Sequence, residues 1–226
     1  MSKYVAKMGW PTDKYRRVNL FTDVYSTEDW ALAMVPQPVV GVVMLFPIKD
    51  ASEAHRAEEA AQLKESPPTV SDKVYHMKQT VGNACGTVGL LHCTLNAVMS
   101  KGIELGKDSF LQRFLERTRG MSADDIAQAL NDDDELETVH DEAAQEGQSE
   151  QKDRDERINT HFVCLTEVDG QLYELDGRKD SPICHGPTTA ESLLQDSCKV
   201  VQKFMDRDPG EVRFTIVALA PAPEDA

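Results

Sequence analysis

The chain lacks any stretch of about 18 consecutive apolar residues, so nothing in it is long enough to cross a bilayer as a helix. It lacks a basic segment followed by an apolar one at its start, which argues against a secretory signal. It also lacks a Pro/Gly/Ser-rich linker and any internal repeat, so the 226 residues are expected to form one soluble domain spanning 1–226. Positive charge is scarce: 24 Lys and Arg stand against 39 Asp and Glu, a net charge of −15 that argues against nucleic acid or an anionic membrane as partner. Cysteine is sparse and irregular. Cys85, Cys93, Cys164, Cys184 and Cys198 match neither a disulfide framework nor a zinc pattern, and read as free thiols of a reducing cytoplasm or nucleus. No metal and no other cofactor is expected, and the chain is expected to be a monomer.

What is present starts at Gln79-Thr-Val-Gly-Asn-Ala-Cys85. Gly82 and Asn83 are turn residues, and apolar residues at Val88, Leu91, Leu95, Val98 and Met99 follow at helical spacing, so Cys85 opens a helix. A thiol in the first turn meets unpaired backbone N–H groups and the positive end of the helix dipole, both of which favour the nucleophilic thiolate. Gln79, a few residues upstream, brings a side-chain amide toward the same point, where with the Cys85 backbone N–H it makes a two-donor hole for an oxyanion.

A thiolate hydrolase also needs a base and a group to orient it. His161-Phe-Val-Cys-Leu-Thr-Glu-Val168 is extended and apolar, Asp169-Gly170 is a two-residue hairpin signal, and Gln171-Leu-Tyr-Glu-Leu-Asp176 alternates. That register sets Asp176 opposite Val163, with His161 one diagonal step away on the same face, where Cα atoms are roughly 7–8 Å apart. A slip of one residue would separate them. His92 lies two turns up the helix from Cys85, roughly 10 Å along the axis, and reads as a packed histidine. His140 sits in a charged stretch, and no carboxylate on an adjacent strand is identifiable for His55, His76 or His185.

Around these residues the pattern predicts a short helix near Thr27–Met34, a buried strand over Val39–Phe46 and a polar helix over Ala51–Lys64. The nucleophile helix follows, then a helix over Asp108–Arg119 with an Asp cap and a Gly120 stop. After it come a helix capped by Ser122 and Asp125, the hairpin, a helix over Ala190–Met205 and a strand over Val212–Leu219. Helices alternating with antiparallel hairpins indicate an α/β arrangement with helices on both sides of the sheet. Between Thr138 and Thr160 the chain is polar and too poor in apolar residues to pack, and because it runs directly into His161 it reads as a lid.

These segments resemble the ubiquitin carboxyl-terminal hydrolases (UCH, peptidase C12), most closely the short single-domain isozyme L-three type. The matches are Gln79 to Leu90 around the nucleophile, His161-Phe, Leu172-Tyr-Glu-Leu-Asp-Gly-Arg-Lys179, Asp23-Val-Tyr25, Val35-Pro-Gln-Pro38, Leu45-Phe-Pro-Ile48, Lys203-Phe-Met-Asp-Arg-Asp-Pro209 and Arg213-Phe214. The resemblance implies a papain-like cysteine peptidase fold of the α+β kind, with a mostly antiparallel sheet, flanking helices and a knotted path. It implies Cys85 as nucleophile, His161 as base, Asp176 as orienting carboxylate and Gln79 as oxyanion donor. The implied partner is ubiquitin or a ubiquitin-like modifier, cleaved from small adducts or short peptides through a thioester. Asp23 is implied as a ubiquitin contact, residues 138–160 as a crossover loop, and the acidic surface as a guide for the Leu-Arg-Leu-Arg-Gly-Gly tail. A catalytically idle ubiquitin-binding module and another Cys-His amidase are the competing readings, and the complete set of four residues argues for the hydrolase.

Overall fold

A sheet of six strands, antiparallel at every pairing, separates two apolar layers. The structure, a computed structural model, describes residues 1–11, 19–80, 84–133, 135 and 160–222. In chain order the described elements are α1 (Ser2–Lys7), β1 (Asn19–Asp23), α2 (Asp29–Leu32), β2 (Gly41–Pro47), α3 (Asp50–Glu65), α4 (Cys85–Lys101), α5 (Phe110–Thr118) and α6 (Ala123–Asn131). β3 (Thr160–Val168), β4 (Gln171–Leu175), β5 (Ile183–Pro187), α7 (Leu193–Asp206) and β6 (Thr215–Pro221) complete them, and the sheet order is β1-β6-β2-β3-β4-β5.

The apolar run of β2 is explained by its coverage. Val43 packs under α4, while Val42, Met44 and Phe46 face the layer that holds α7, so neither face of the strand can be polar. α4 is apolar nearly all round for the same reason: it is buried between the sheet and the layer of α1, α5 and α6. Its glycines set its depth, since a Cβ at Gly89 would lie 3.2 Å from Phe162 Cβ and one at Gly86 3.4 Å from the Phe162 ring. α3 differs from the other long helices in having no buried residue. Ion pairs hold it: Glu53 to Arg178 through two parallel bonds of 2.9 and 2.8 Å, and Glu59 to Lys179 at 2.5 Å.

The hairpin has the expected register, with Val168 opposite Gln171 and Cys164 opposite Leu175. Both turn residues are left-handed, Asp169 at φ 52° and Gly170 at φ 75°, as a two-residue turn requires. α1, β1 and β5 were not expected, α2 is shorter than its pattern, and β6 starts at Thr215 rather than Val212. α5 is capped by Ser109, which accepts the Gln112 N–H; Asp108 has φ 54° and stands outside the helix. Ser122 accepts the Asp125 N–H at 3.2 Å and donates to its carboxylate at 2.7 Å, so Asp125 answers the cap through the hydroxyl. The five cysteines are free. No helix among the described residues is long and apolar enough to cross a membrane. Of the stretch read as a lid, only Thr160 is described, and 138–159 lie outside the described residues.

Candidate active site

Cys85 is the first residue of α4, and Ala84 before it offers no side-chain cap to the first-turn N–H groups. The sheet brings His161 to it. His161 stands near the start of β3, opposite Phe46 of β2, whose ring meets the imidazole edge-on at 5.9 Å. Asp176 follows β4 directly, and its Oδ1 lies 2.6 Å from His161 Nε2. The same oxygen accepts the Arg178 N–H at 2.8 Å, so the carboxylate is held by two donors. With Nε2 committed to Asp176, Nδ1 remains for the thiol, and Cys85 does interact with this ring.

Cys85, His161 and Asp176 are only 6 %, 2 % and 3 % exposed, which removes most of the water that would screen their charges. Burial pulls the His161 pKa down, but the Asp176 hydrogen bond, the contact with Cys85 and the charges of both outweigh it, and the pKa is pushed up to about 9. The imidazole is therefore protonated at neutral pH. A protonated imidazole bonded to a carboxyl group and beside a thiol has a proton it can hand to a leaving group.

Gln79 lies on the segment before α4, against the turn that follows Asp176. Its N–H donates to the Gly177 carbonyl at 2.8 Å, and a Cβ at Gly177 would come within 2.9 Å of Gln79 Cβ and 3.0 Å of Val88 Cγ1. Gly177, the residue after Asp176, is thus packed between Gln79 and Val88 of α4. Val81–Asn83 lie outside the described residues.

The structure does not bring Asp23 to this group. It is exposed at the end of edge strand β1, with β6 and β2 between it and β3. His92 is fully buried within α4, as a packed histidine, and His140 lies outside the described residues. His185 is a correction: it has a carboxylate on the neighbouring strand, Glu174 at 2.9 Å. The pair was missed because β5, ending in Gly186-Pro187, carries no strand pattern. Glu174 also bonds Lys179 at 2.5 Å. Its burial raises its pKa, but the Lys179 charge and the His185 bond outweigh that and hold it down at about 2, so it is a fixed anion within an ion network rather than a proton acceptor. No cluster among the described residues is arranged to hold a metal ion.

The model of the ubiquitin carboxyl-terminal hydrolase family 1 matches residues 1–206. A probable ubiquitin carboxyl-terminal hydrolase of Dictyostelium discoideum is 42% identical over 205 residues, 91% of this chain and 80% of that one. Ubiquitin carboxyl-terminal hydrolase 3 of Arabidopsis thaliana is 41% identical over 220 residues, 97% and 89% of the two chains. Human isozyme L1 is 42% identical over 202 residues, 89% and 87%. Among solved structures, the Trichinella spiralis UCH37 catalytic domain bound to ubiquitin vinyl methyl ester superposes with a TM-score of 0.72 at 18% identity, covering 98% of this chain and 91% of that one, which is a likeness of fold.

Proposed function

The chain belongs to the ubiquitin carboxyl-terminal hydrolase family 1, and on that premise we propose how its residues divide the work of a deubiquitinating cysteine hydrolase. The Cys85 thiolate attacks the carbonyl carbon of the ubiquitin C-terminal glycine, and the carbonyl electron pair moves onto oxygen. The Cys85 backbone N–H and the Gln79 amide receive that oxyanion. As the intermediate collapses, His161 gives its proton to the leaving amine and a thioester remains. His161, now neutral, takes a proton from water, whose oxygen attacks the thioester; the second collapse releases the ubiquitin carboxylate and restores the thiolate–imidazolium pair. Asp176 holds the ring so that Nδ1 faces sulfur. The observation that carries this reading is the buried His161, bonded to Asp176 at 2.6 Å and in contact with Cys85 at the start of a helix.

The test is hydrolysis of ubiquitin carrying a fluorescent C-terminal leaving group, followed across pH. The productive form has His161 protonated, so kcat/KM is expected to fall as pH rises through about 9. Stability has the same sign: a histidine raised from about 6.5 stabilises the fold fully below that value and ceases to do so above about 9. A kcat/KM that keeps rising to pH 10 would contradict the assignment of His161 as proton donor.

The acidic surface, with a net charge of −15, belongs to the same proposal as a guide for the basic tail of ubiquitin, and Asp23 as a ubiquitin contact away from the site. Small adducts and short peptides on the C-terminal glycine are the proposed substrates, with 138–160 as the polar lid over them. Raising salt from about 50 to 500 mM shrinks the Debye length from above 10 Å to about 4 Å, and kcat/KM is expected to drop several-fold while kcat barely changes. A salt-independent kcat/KM would return the charge to a solubility role.

A further inference from the structure

The segment Tyr75–Gln79 belongs to no helix or strand, yet Tyr75, His76 and Met77 are buried. Buried backbone N–H and C=O groups need partners, and here the nucleophile helix supplies them from side chains. Asn96, fully buried on α4, accepts the Tyr75 N–H on Oδ1 at 2.9 Å and donates from Nδ2 to the Tyr75 carbonyl at 2.8 Å. That pair reproduces the two-bond exchange between facing residues of an antiparallel ladder. One turn nearer Cys85, His92 Nε2 accepts the Met77 N–H at 3.0 Å, in a ring that burial keeps neutral.

The other side of the same segment is tied to the turn after β4. His76 donates from Nε2 to the Asp176 carbonyl at 3.2 Å and stacks on His92, with 5.2 Å between centroids and 17° between planes. Gln79 closes the series through its bond to the Gly177 carbonyl. Residues 75 and 77 are therefore bonded to the helix that carries the nucleophile, and residues 76 and 79 to the turn that carries the orienting carboxylate.

We infer that Asn96 and His92 are positioning residues for the reaction: by gripping the backbone of Tyr75 and Met77 from α4, they hold Gln79 where the oxyanion forms. Neither touches the reacting atoms. A donor displaced by about 1 Å can cost up to about a hundredfold in rate, so loosening either grip acts on the transition state more than on substrate binding. The inference rests on the oxyanion role proposed for Gln79.

A double-mutant cycle on the full chain tests it, with kcat and KM measured on ubiquitin bearing a fluorescent leaving group. His92→Phe and Asn96→Leu, which keep the planar or branched outline at some gain in volume and lose the bonds, are each expected to lower kcat by about tenfold or more, with KM changed less than about twofold. In a Gln79→Ala background the same changes should cost less than about twofold, because the donor they position is gone. His92→Gln, which restores an amide acceptor, should recover most of the lost rate. Alkylation of Cys85 by iodoacetamide should proceed at the wild-type rate throughout. Losses that multiply in the Gln79→Ala background, or slowed alkylation, would overturn the inference; full kcat in Gln79→Ala alone would instead overturn the role of Gln79. Should the α4 variants fail to fold, amide exchange in the wild type decides: protection of Tyr75 and Met77 like that of the α4 core is expected, and loop-like exchange would overturn the grip.

Discussion

Cys85→Ala is expected to reduce hydrolysis of ubiquitin C-terminal amides and esters to the background rate, a loss on the order of 10⁶ in kcat, while ubiquitin is still bound. Without sulfur no thioester forms, and the two-step route has no first step. His161 and Asp176 remain paired in the variant, because their 2.6 Å bond does not pass through the thiol. Removing one sulfur from a residue already at the start of a helix leaves the packing of α4 intact, so the loss of activity is a loss of chemistry. Turnover of the fluorescent substrate and calorimetric binding of free ubiquitin measure the two halves. Turnover that survives the change would mean the nucleophile is elsewhere.

Gln79→Ala is expected to lower kcat by about 10²–10³ and to leave KM nearly unchanged. The oxyanion exists only in the transition state and the intermediate, so a group that bonds it contributes little to ground-state binding. The Cys85 N–H remains as the second donor, which is why the loss stops short of that for the nucleophile. The backbone bond from Gln79 to Gly177 survives the side-chain change, so the turn beside Asp176 keeps its place. A variant altered only in KM would show that the amide binds substrate and does not receive the oxyanion.

The His161–Asp176 pair was legible in the sequence because two local rules act together. Asp169-Gly170 accepts left-handed backbone at both positions, which sets the hairpin, and the hairpin register then carries His161 and Asp176 to the same end of adjacent strands. The start of α4 was legible from its Gly82-Asn83 entry and apolar spacing. Contacts between distant segments were not. β1 pairs with β6 across nearly the whole chain, and no local pattern in Asn19–Asp23 announces it. β5 is short and ends in Gly186-Pro187, which hid both the strand and the His185–Glu174 bond. Asn96 and His92 act through backbone groups of Tyr75 and Met77, and a backbone partner leaves no residue type to read. The docking of α3 was hidden for the opposite reason: its Glu53 and Glu59 look like the solvated charges of any polar helix until Arg178 and Lys179 are set beside them.

The place of β6 bears on the order in which the molecule can come to life. β6 follows every other described strand in the chain, yet it lies inside the sheet, hydrogen-bonded to β1 on one side and β2 on the other. A chain growing from its N-terminus therefore holds β1 and the β2 edge open, with Val42 and Met44 lacking the neighbouring Ala218 and Ile216, until β6 arrives. β2 is also the strand against which His161 is registered, through Phe46. Until β6 is made, Cys85, His161 and Asp176 stand on a sheet whose β2 edge is unpaired.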